Sequence, residues 1–203
     1  MTVMKRIILL LISVIAFNAS AQTADELLNA TIAKTKSYPS ISLTFDCIIT
    51  DRANVSQIFS GEASMKGNSY KMTAFDQTII CNGTTKWTYV PDDEEVVVDN
   101  VKADGATTPL SFLDMIPQNG KATFIGKAEG TRTIRIKGEF EGKQREVEMT
   151  IDEAKLQPKD ISLIESEGTK RIVIKSVDTA ELPDSLFTFD TEQYPDVEVI
   201  DMR

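Results

Sequence analysis

Two hydrophobic periods divide the chain. Between Thr23 and Pro39, Ala24, Leu27, Leu28 and Ile32 recur at helical spacing. Thr23 and Glu26 open this stretch three residues apart, so that hydroxyl and carboxylate can each satisfy a free backbone N–H. Pro39 stops it, which predicts one amphipathic helix of about four turns. From Ile41 the period falls to two. Ile41, Leu43, Phe45, Cys47 and Ile49 alternate with Ser42, Thr44, Asp46, Ile48 and Thr50, the pattern of a half-buried strand. Further strands are expected at 57–66, 69–74, 78–82, 86–90 and 95–98, with Gly67-Asn68 and Asn82-Gly83 as tight hairpin turns.

The alternation breaks between Val101 and Gly120. Thr107-Thr108-Pro109 opens a second, short helix. Leu110, Phe112, Leu113, Met115 and Ile116 make it too apolar to lie freely on a surface, and Pro117 and Asn119-Gly120 close it. Strands resume at 123–127, 131–138, 145–152, 161–165 and 171–177, before a tail at 187–203. No repeat, low-complexity tract or linker divides the pattern. The expected fold is mainly β: a long antiparallel meander of about ten strands, curled into an unclosed half β-barrel. The N-terminal and inserted helices cover its concave face. Extrapolated at period two, that face collects Leu43, Phe45, Phe59, Ala63, Met65, Tyr70, Met72, Ile79, Trp87 and Tyr89. Such a face is either an ordinary packed core, which pattern alone favours, or the wall of an apolar cavity that two short helices leave underfilled.

Composition narrows the function. Residues 1–21 read as a signal peptide, with Lys5 and Arg6 before an apolar run and Ala19-Ser20-Ala21 as the cleavage site. One exported domain is then expected over 22–203. The net charge is −9, and −11 once Lys5 and Arg6 are removed. An acidic surface repels phosphate backbones and argues against a nucleic-acid partner. Histidine is absent, which removes imidazole acid–base catalysis and the commonest zinc sites. Asp92-Asp93-Glu94-Glu95 lies in a hairpin without the turn glycine of a calcium loop and reads as a solvated turn. No catalytic residue, metal or cofactor is expected, so the chain is read as a binding protein and not an enzyme. Cys47 and Cys81 fall on the first and fourth strands, roughly 14 Å apart at sheet spacing. That exceeds the ~7 Å reach of a disulfide, so both are expected free.

Four segments resemble, in order, the outer-membrane lipoprotein carrier (LolA-like) family. Residues 79–91 look like its apolar strand, Asn-Gly turn and Trp-x-Tyr-x-Pro run. Residues 59–66 resemble its glycine-containing second strand, 108–116 its inserted lid helix, and Phe187-Thr188-Phe189 with 194–201 its C-terminal segment. The resemblance implies a monomeric periplasmic carrier of acylated lipoproteins or lipids. It would receive cargo from an inner-membrane ABC-type releasing complex and deliver it to an outer-membrane acceptor. The acyl chains would lie against the concave-face residues, beneath a lid in which Leu110, Phe112, Leu113 and Ile116 face the sheet. On that reading Leu113 is expected to accept a charge at little cost to folding. The alternative is a non-transporting sensor or scaffold of the same fold, acting through protein–protein contacts. One departure stands out. The best-known members carry an arginine after the second-strand lysine as a lid latch, whereas here Lys66 is followed by Gly67.

Overall fold

The computed structural model describes residues 22–101, 113, 116, 119–140 and 143–203. The expected signal peptide lies outside these residues, as do Leu110 and Phe112. The first element is α1 (Ala24–Lys36), and its capping box is formed. Thr23 Oγ1 accepts from the Glu26 N–H at 3.2 Å, and the Glu26 carboxylate accepts from the Thr23 N–H at 2.8 Å. Acidic Asp25 and Glu26 in the first turn, with Lys34 and Lys36 in the last, complement the helix dipole. Thr31 and Thr35 are buried because their hydroxyls donate to the carbonyls of Leu27 and Thr31.

Twelve strands follow: β1 (Ser40–Asp51), β2 (Ser56–Lys66), β3 (Ser69–Ala74), β4 (Gln77–Cys81), β5 (Thr85–Val90), β6 (Glu95–Asn100), β7 (Lys121–Ala128), β8 (Thr131–Phe140), β9 (Lys143–Asp152), β10 (Gln157–Glu165), β11 (Gly168–Asp178) and β12 (Glu198–Asp201). They form one unclosed sheet in the order β12-β6-β5-β4-β3-β2-β1-β11-β10-β9-β8-β7. Neighbours are antiparallel except β12, which joins β6 in parallel. The expected meander is therefore two meanders, β1–β6 and β7–β11, joined by pairing of β1 with β11. β6 and β7, consecutive in sequence, stand on opposite sides of the sheet.

Registry assigns side chains to two faces, because directly paired antiparallel residues point the same way. The inner face carries α1. There Leu27 and Leu28 pack with Ile134, Ile136, Met149 and Ile161 of β8–β10 in the largest core cluster. Asp25 Oδ1 accepts from the Ala122 N–H at 2.9 Å, fixing the start of α1 to β7. Leu113 and Ile116 belong to the same cluster, 4% and 5% exposed. The expectation that Leu113 tolerates a charge at little cost to folding is therefore corrected: it is core, and a carboxylate there would lose its hydration among apolar side chains.

Gly61 shows how tightly the middle of the sheet is packed. A Cβ on it would stand 2.7 Å from Phe45 Cζ, 2.9 Å from the Thr73 carbonyl oxygen and 3.0 Å from Ala74 Cβ. The Phe45 ring fills the space that a side chain would take. Gly61→Ala is expected to cost about 1–3 kcal/mol by overpacking. Phe45→Leu in the same chain should recover only part of this, because the Thr73 carbonyl cannot withdraw; urea unfolding of the single and double variants measures both.

Cys47 on β1 and Cys81 on β4 are free thiols separated by β2 and β3. Thiol counting on the unfolded, unreduced protein should give two per chain. A count of zero with no intermolecular species would require β1 and β4 to be neighbours and would overturn the strand order.

Candidate functional site

The inner face has two unequal halves. Over β7–β10 it is filled by α1 with Leu113 and Ile116. Over β1–β4 and β11 it is apolar but incompletely covered. Registry brings Leu43, Ala63, Met72 and Ile79 into one row across β1–β4, with Ile41, Met65, Tyr70 and Cys81 in the row beside it. Phe45 lies over Gly61, and Phe59 is opposite Cys47. Across β11, Ile172 pairs with Cys47 and Ile174 with Phe45. Burial grades along the face. Ile41, Leu43, Ala63, Met65 and Tyr70 are buried, while Phe45, Cys47, Phe59, Met72, Ile79, Ile172 and Ile174 are only half-buried. At the buried end a cavity of about 350 Å³ opens between the end of α1 and the β2–β3 turn, with Ile41, Met65 and Tyr70 on its wall.

Eight residues expected on this face are thus together on it: Leu43, Phe45, Phe59, Ala63, Met65, Tyr70, Met72 and Ile79. Trp87 and Tyr89 are corrected. Cys81 pairs with Lys86 and Ile80 with Trp87, so these two rings point to the outer face. There Tyr89 meets Phe189 and Tyr194 at ring-centroid distances of 5.6 and 4.9 Å, and both Trp87 and Tyr89 pack on Ile80, Val96 and Phe189. The cause is turn length. The four residues between Cys81 and Lys86 put odd-numbered β4 positions opposite even-numbered β5 positions, and a phase carried across this turn by parity alone comes out inverted. Ile172 and Ile174 were missed. Their segment reads Ile172-Val173-Ile174, three apolar residues in a row, which conceals its phase, and no local signal pairs β11 with β1.

Lys66 is a latch, but not for a lid. Its ammonium donates to the Leu182 carbonyl at 3.0 Å and pairs with Asp184 at 2.7 Å, fastening the C-terminal segment to the outer face. The Asp184 bond raises the Lys66 pKa above its ordinary value. Gly67 turns the chain at φ +57°, a left-handed conformation that most residues adopt only under strain.

On the inner face, burial raises the pKa of the Cys47 thiol, making a reactive thiolate unfavourable. Tyr70 is pushed up to about 12, first by burial, then by the adjoining Cys81. Among the described residues, Phe45, Phe59, Met72, Ile79, Ile172 and Ile174 make the half-buried strip an apolar surface.

Among the described residues, an unclosed sheet with α1 on its inner face and an apolar strip left half-covered makes a half-barrel. The model of the outer membrane lipoprotein carrier protein LolA family matches residues 36–190, and the chain belongs to that family. An outer-membrane lipoprotein carrier protein of Francisella philomiragia is 32% identical over 117 residues. That match covers 54% of this chain and 55% of the relative, so the chain spans about half the length of the curated relative it matches. Among solved structures, the lipoprotein LppX of Mycobacterium tuberculosis is similar at a TM-score of 0.51 and 12% identity, covering 79% of this chain and 99% of LppX. A LolA superfamily protein of Nitrosomonas europaea is similar at a TM-score of 0.42 and 11% identity, covering 82% of this chain and 98% of that one.

The Tyr70 shift has a testable sign. In the unfolded chain the phenol loses its proton near its ordinary value of 10.0, and in the fold near 12. Between these values the unfolded state binds fewer protons, so this contribution is fully present below about pH 10 and is lost as pH rises towards about 12. Urea midpoints at about pH 9 and about pH 11 should show the loss in the wild type, and Tyr70→Phe should remove that part of it.

Proposed function

We propose that the protein is a periplasmic carrier that holds acyl chains of lipoproteins, or of lipids, against the half-buried strip of its inner face. The observation that carries this reading is the contiguity of Phe45, Phe59, Met72, Ile79, Ile172 and Ile174: apolar, spread over five neighbouring strands, and none fully covered. Methionine and phenylalanine suit such a wall, because one adapts its shape and the other offers a broad apolar surface. The energetic need is large. Exposing a methylene to water costs about 0.8 kcal/mol, so three chains of about fifteen methylenes cost on the order of 36 kcal/mol. Membrane-to-membrane transfer without a sheltering surface is negligible. A carrier must beat water yet release to the next site, and an incompletely complementary wall serves that better than a close-fitting one.

In this reading the protein works as a monomer, taking cargo from an ABC-type complex of the inner membrane and giving it to an outer-membrane acceptor. Support for these partners comes from membership of the carrier family and from the similarity to the Francisella carrier. The strip binds by exclusion of water and needs no cofactor. The residues expected in the lid, Leu110 and Phe112, would complete the cover over the strip.

The test compares binding of a diacylated lipopeptide by wild type, Met72→Asp and Ile58→Asp, read by native mass spectrometry before and after organic extraction. Met72 is half-buried on the strip, so a carboxylate there puts a charge where chains must lie. Binding should fall more than about tenfold with little change in Tm. Ile58, 65% exposed on the outer face, should accept the same change without effect. Absence of bound lipopeptide or lipid in the wild type would sink the carrier and leave the sensor or scaffold reading. Equal loss in both variants would move the site off the inner face.

A further inference from the structure

The rim of the sheet has a step at β2. On one side β2 pairs with β1 along its whole length, from Ser56 opposite Thr50 to Lys66 opposite Ser40, without a register shift. On the other side β3 reaches only as far as Glu62, opposite Thr73, and turns back into β4 through Phe75 and Asp76. Residues 56–60 therefore stand above the β3–β4 turn with a free edge, about 17 Å long at the usual strand rise. Antiparallel pairing alternates the direction of the main-chain groups. The Asp51 N–H donates to the Val55 carbonyl, so in the same register Gln57 and Phe59 turn their groups towards Ile49 and Cys47 of β1. Ser56, Ile58 and Ser60 then point their N–H and C=O groups off the edge, with no main-chain partner among the described residues. Their hydroxyls do not fill the gap: Ser56 Oγ shares a hydrogen bond with Thr50 Oγ1, and Ser60 Oγ donates to Asp46.

Both ends of the sheet, by contrast, are guarded. β7 carries a register shift between Phe124 and Gly126, and its Ala122 N–H is taken by Asp25. β12 is only four residues long, and past its end the Arg203 N–H is taken by Asp201. The free run on β2, Ser56-Gln57-Ile58-Phe59-Ser60, has no charge, proline or bulge, and Ile58 is 65% exposed. Such an edge is a template for another strand.

Its place in the fold selects the occupant. Phe59, within the free run, lays its side chain on the half-buried strip. At the far end of the inner face Ile41, Met65 and Tyr70 are buried, so the open end of the strip is the one at Phe59. Phe75 borders the step: its ring lies 4.6 Å from that of Phe59 and is 42% exposed. Phe75 and Asp76 hold φ at +54° and +58°, a turn that suits Asn-Gly and strains a bulky residue. An exposed aromatic ring kept in that conformation points to contact with a ligand. A polypeptide attached to acyl chains on the strip leaves by this open end and passes the free edge.

We propose that the polypeptide of an acylated cargo docks on β2 as an added strand, pairing its main chain with Ser56, Ile58 and Ser60 while its acyl chains lie on the strip. The proposal rests on the carrier reading and gives the cargo a second point of attachment. Main-chain pairing supplies affinity without reading side chains, so one edge serves cargoes of different sequence.

The full chain is tested with a dipalmitoyl lipopeptide whose uncharged tail spans the step, the same lipopeptide N-methylated along its tail, and dipalmitoylglycerol, each added from the same detergent. Affinity is read by native mass spectrometry, and amide hydrogen exchange is followed residue by residue by NMR. The unmethylated lipopeptide should bind about tenfold or more tighter than the other two. It should slow exchange at Ile58 and Ser60, while Gln57 and Phe59, already bonded to β1, stay unchanged. Ile58→Pro removes one outward N–H and no bond to β1. It should lose the tail's contribution and still bind dipalmitoylglycerol like wild type. Ile58→Asp keeps every main-chain group and should behave as wild type. Circular dichroism checks that each variant is folded, and the methylated probe tests the wild-type chain itself. Equal binding of all probes, or tight lipopeptide binding by folded Ile58→Pro, overturns the docked strand and leaves the carrier reading standing. Ile58 exchange that is already slow without ligand, and slower at higher protein concentration, puts a second copy on the edge and overturns it too. Failure of every probe to bind overturns both.

Discussion

A sheet of twelve strands needs more cover than this chain's one described helix can give, and most of the architecture follows from that shortfall. Thirteen helical residues extend about 20 Å. Twelve strands spaced at about 4.8 Å extend roughly 50 Å before curling. The helix is not free to choose its position, since the Asp25 carboxylate holds it to the backbone of β7 and Leu27 and Leu28 sit among the isoleucines of β8–β10. Leu113 and Ile116 add to the same half rather than to the other. The inner face over β1–β4 and β11 is therefore left apolar and half-covered by geometry, not by any weakness in its sequence.

The boundary between the filled and open halves falls near the seam that joins the two meanders. β1 and β11 pair over ten residues and are tied across the outer face by polar groups: Thr44 Oγ1 and Ser176 Oγ at 2.7 Å, and Lys175 with Asp46 at 2.6 Å. Lys175 also draws the pKa of the Asp46 carboxyl below its ordinary value through the same bond. On the inner surface of the seam Phe45 and Cys47 face Ile174 and Ile172, with Lys170 opposite Ile49 towards its end. A register shift after Thr44 accommodates one extra residue of β11 at Lys175, the kind of local irregularity that bends a strand and raises its twist.

Strand positions were legible because alternation is strong wherever one face is buried and the other wet: β3 coincides with the expected run, and β1, β2 and β4–β9 differ by two residues or fewer at either end. The capping box named the start of α1 for the same local reason. What escaped the sequence was non-local. Nothing near Arg171 marks β11 as the neighbour of β1, so Ile172 and Ile174 could not be added to the strip. The phase of β5 depended on the length of a turn, and one residue of error there moved Trp87 and Tyr89 through the sheet. β12 was hidden in a tail with a proline inside it, and only its pairing with β6 makes it a strand. The free state of Cys47 and Cys81, by contrast, followed from strand order alone.

The inversion at β5 explains how a half-covered sheet can stay folded with its strip unoccupied. On β6 the outer residues are more buried than the inner one, Val96 at 0% and Val98 at 4% exposed against a half-buried Val97, and on β4 the outer Ile80 is 6% exposed while the inner Ile79 is half-buried. The C-terminal strap adds Phe187 and Phe189 at 2% and 7%. At about 1.5–3 kcal/mol for each large apolar side chain buried, these five contribute on the order of 10 kcal/mol before the entropy of ordering the strap is set against them. That gross figure is comparable to the net stability of a whole domain, about 5–15 kcal/mol. β4 and β6 thus draw burial from the side opposite the strip. Filling or emptying the strip changes only the face whose cover is already incomplete, and Lys66, whose counterpart in the best-known relatives precedes a lid latch, here fastens the strap that makes this possible.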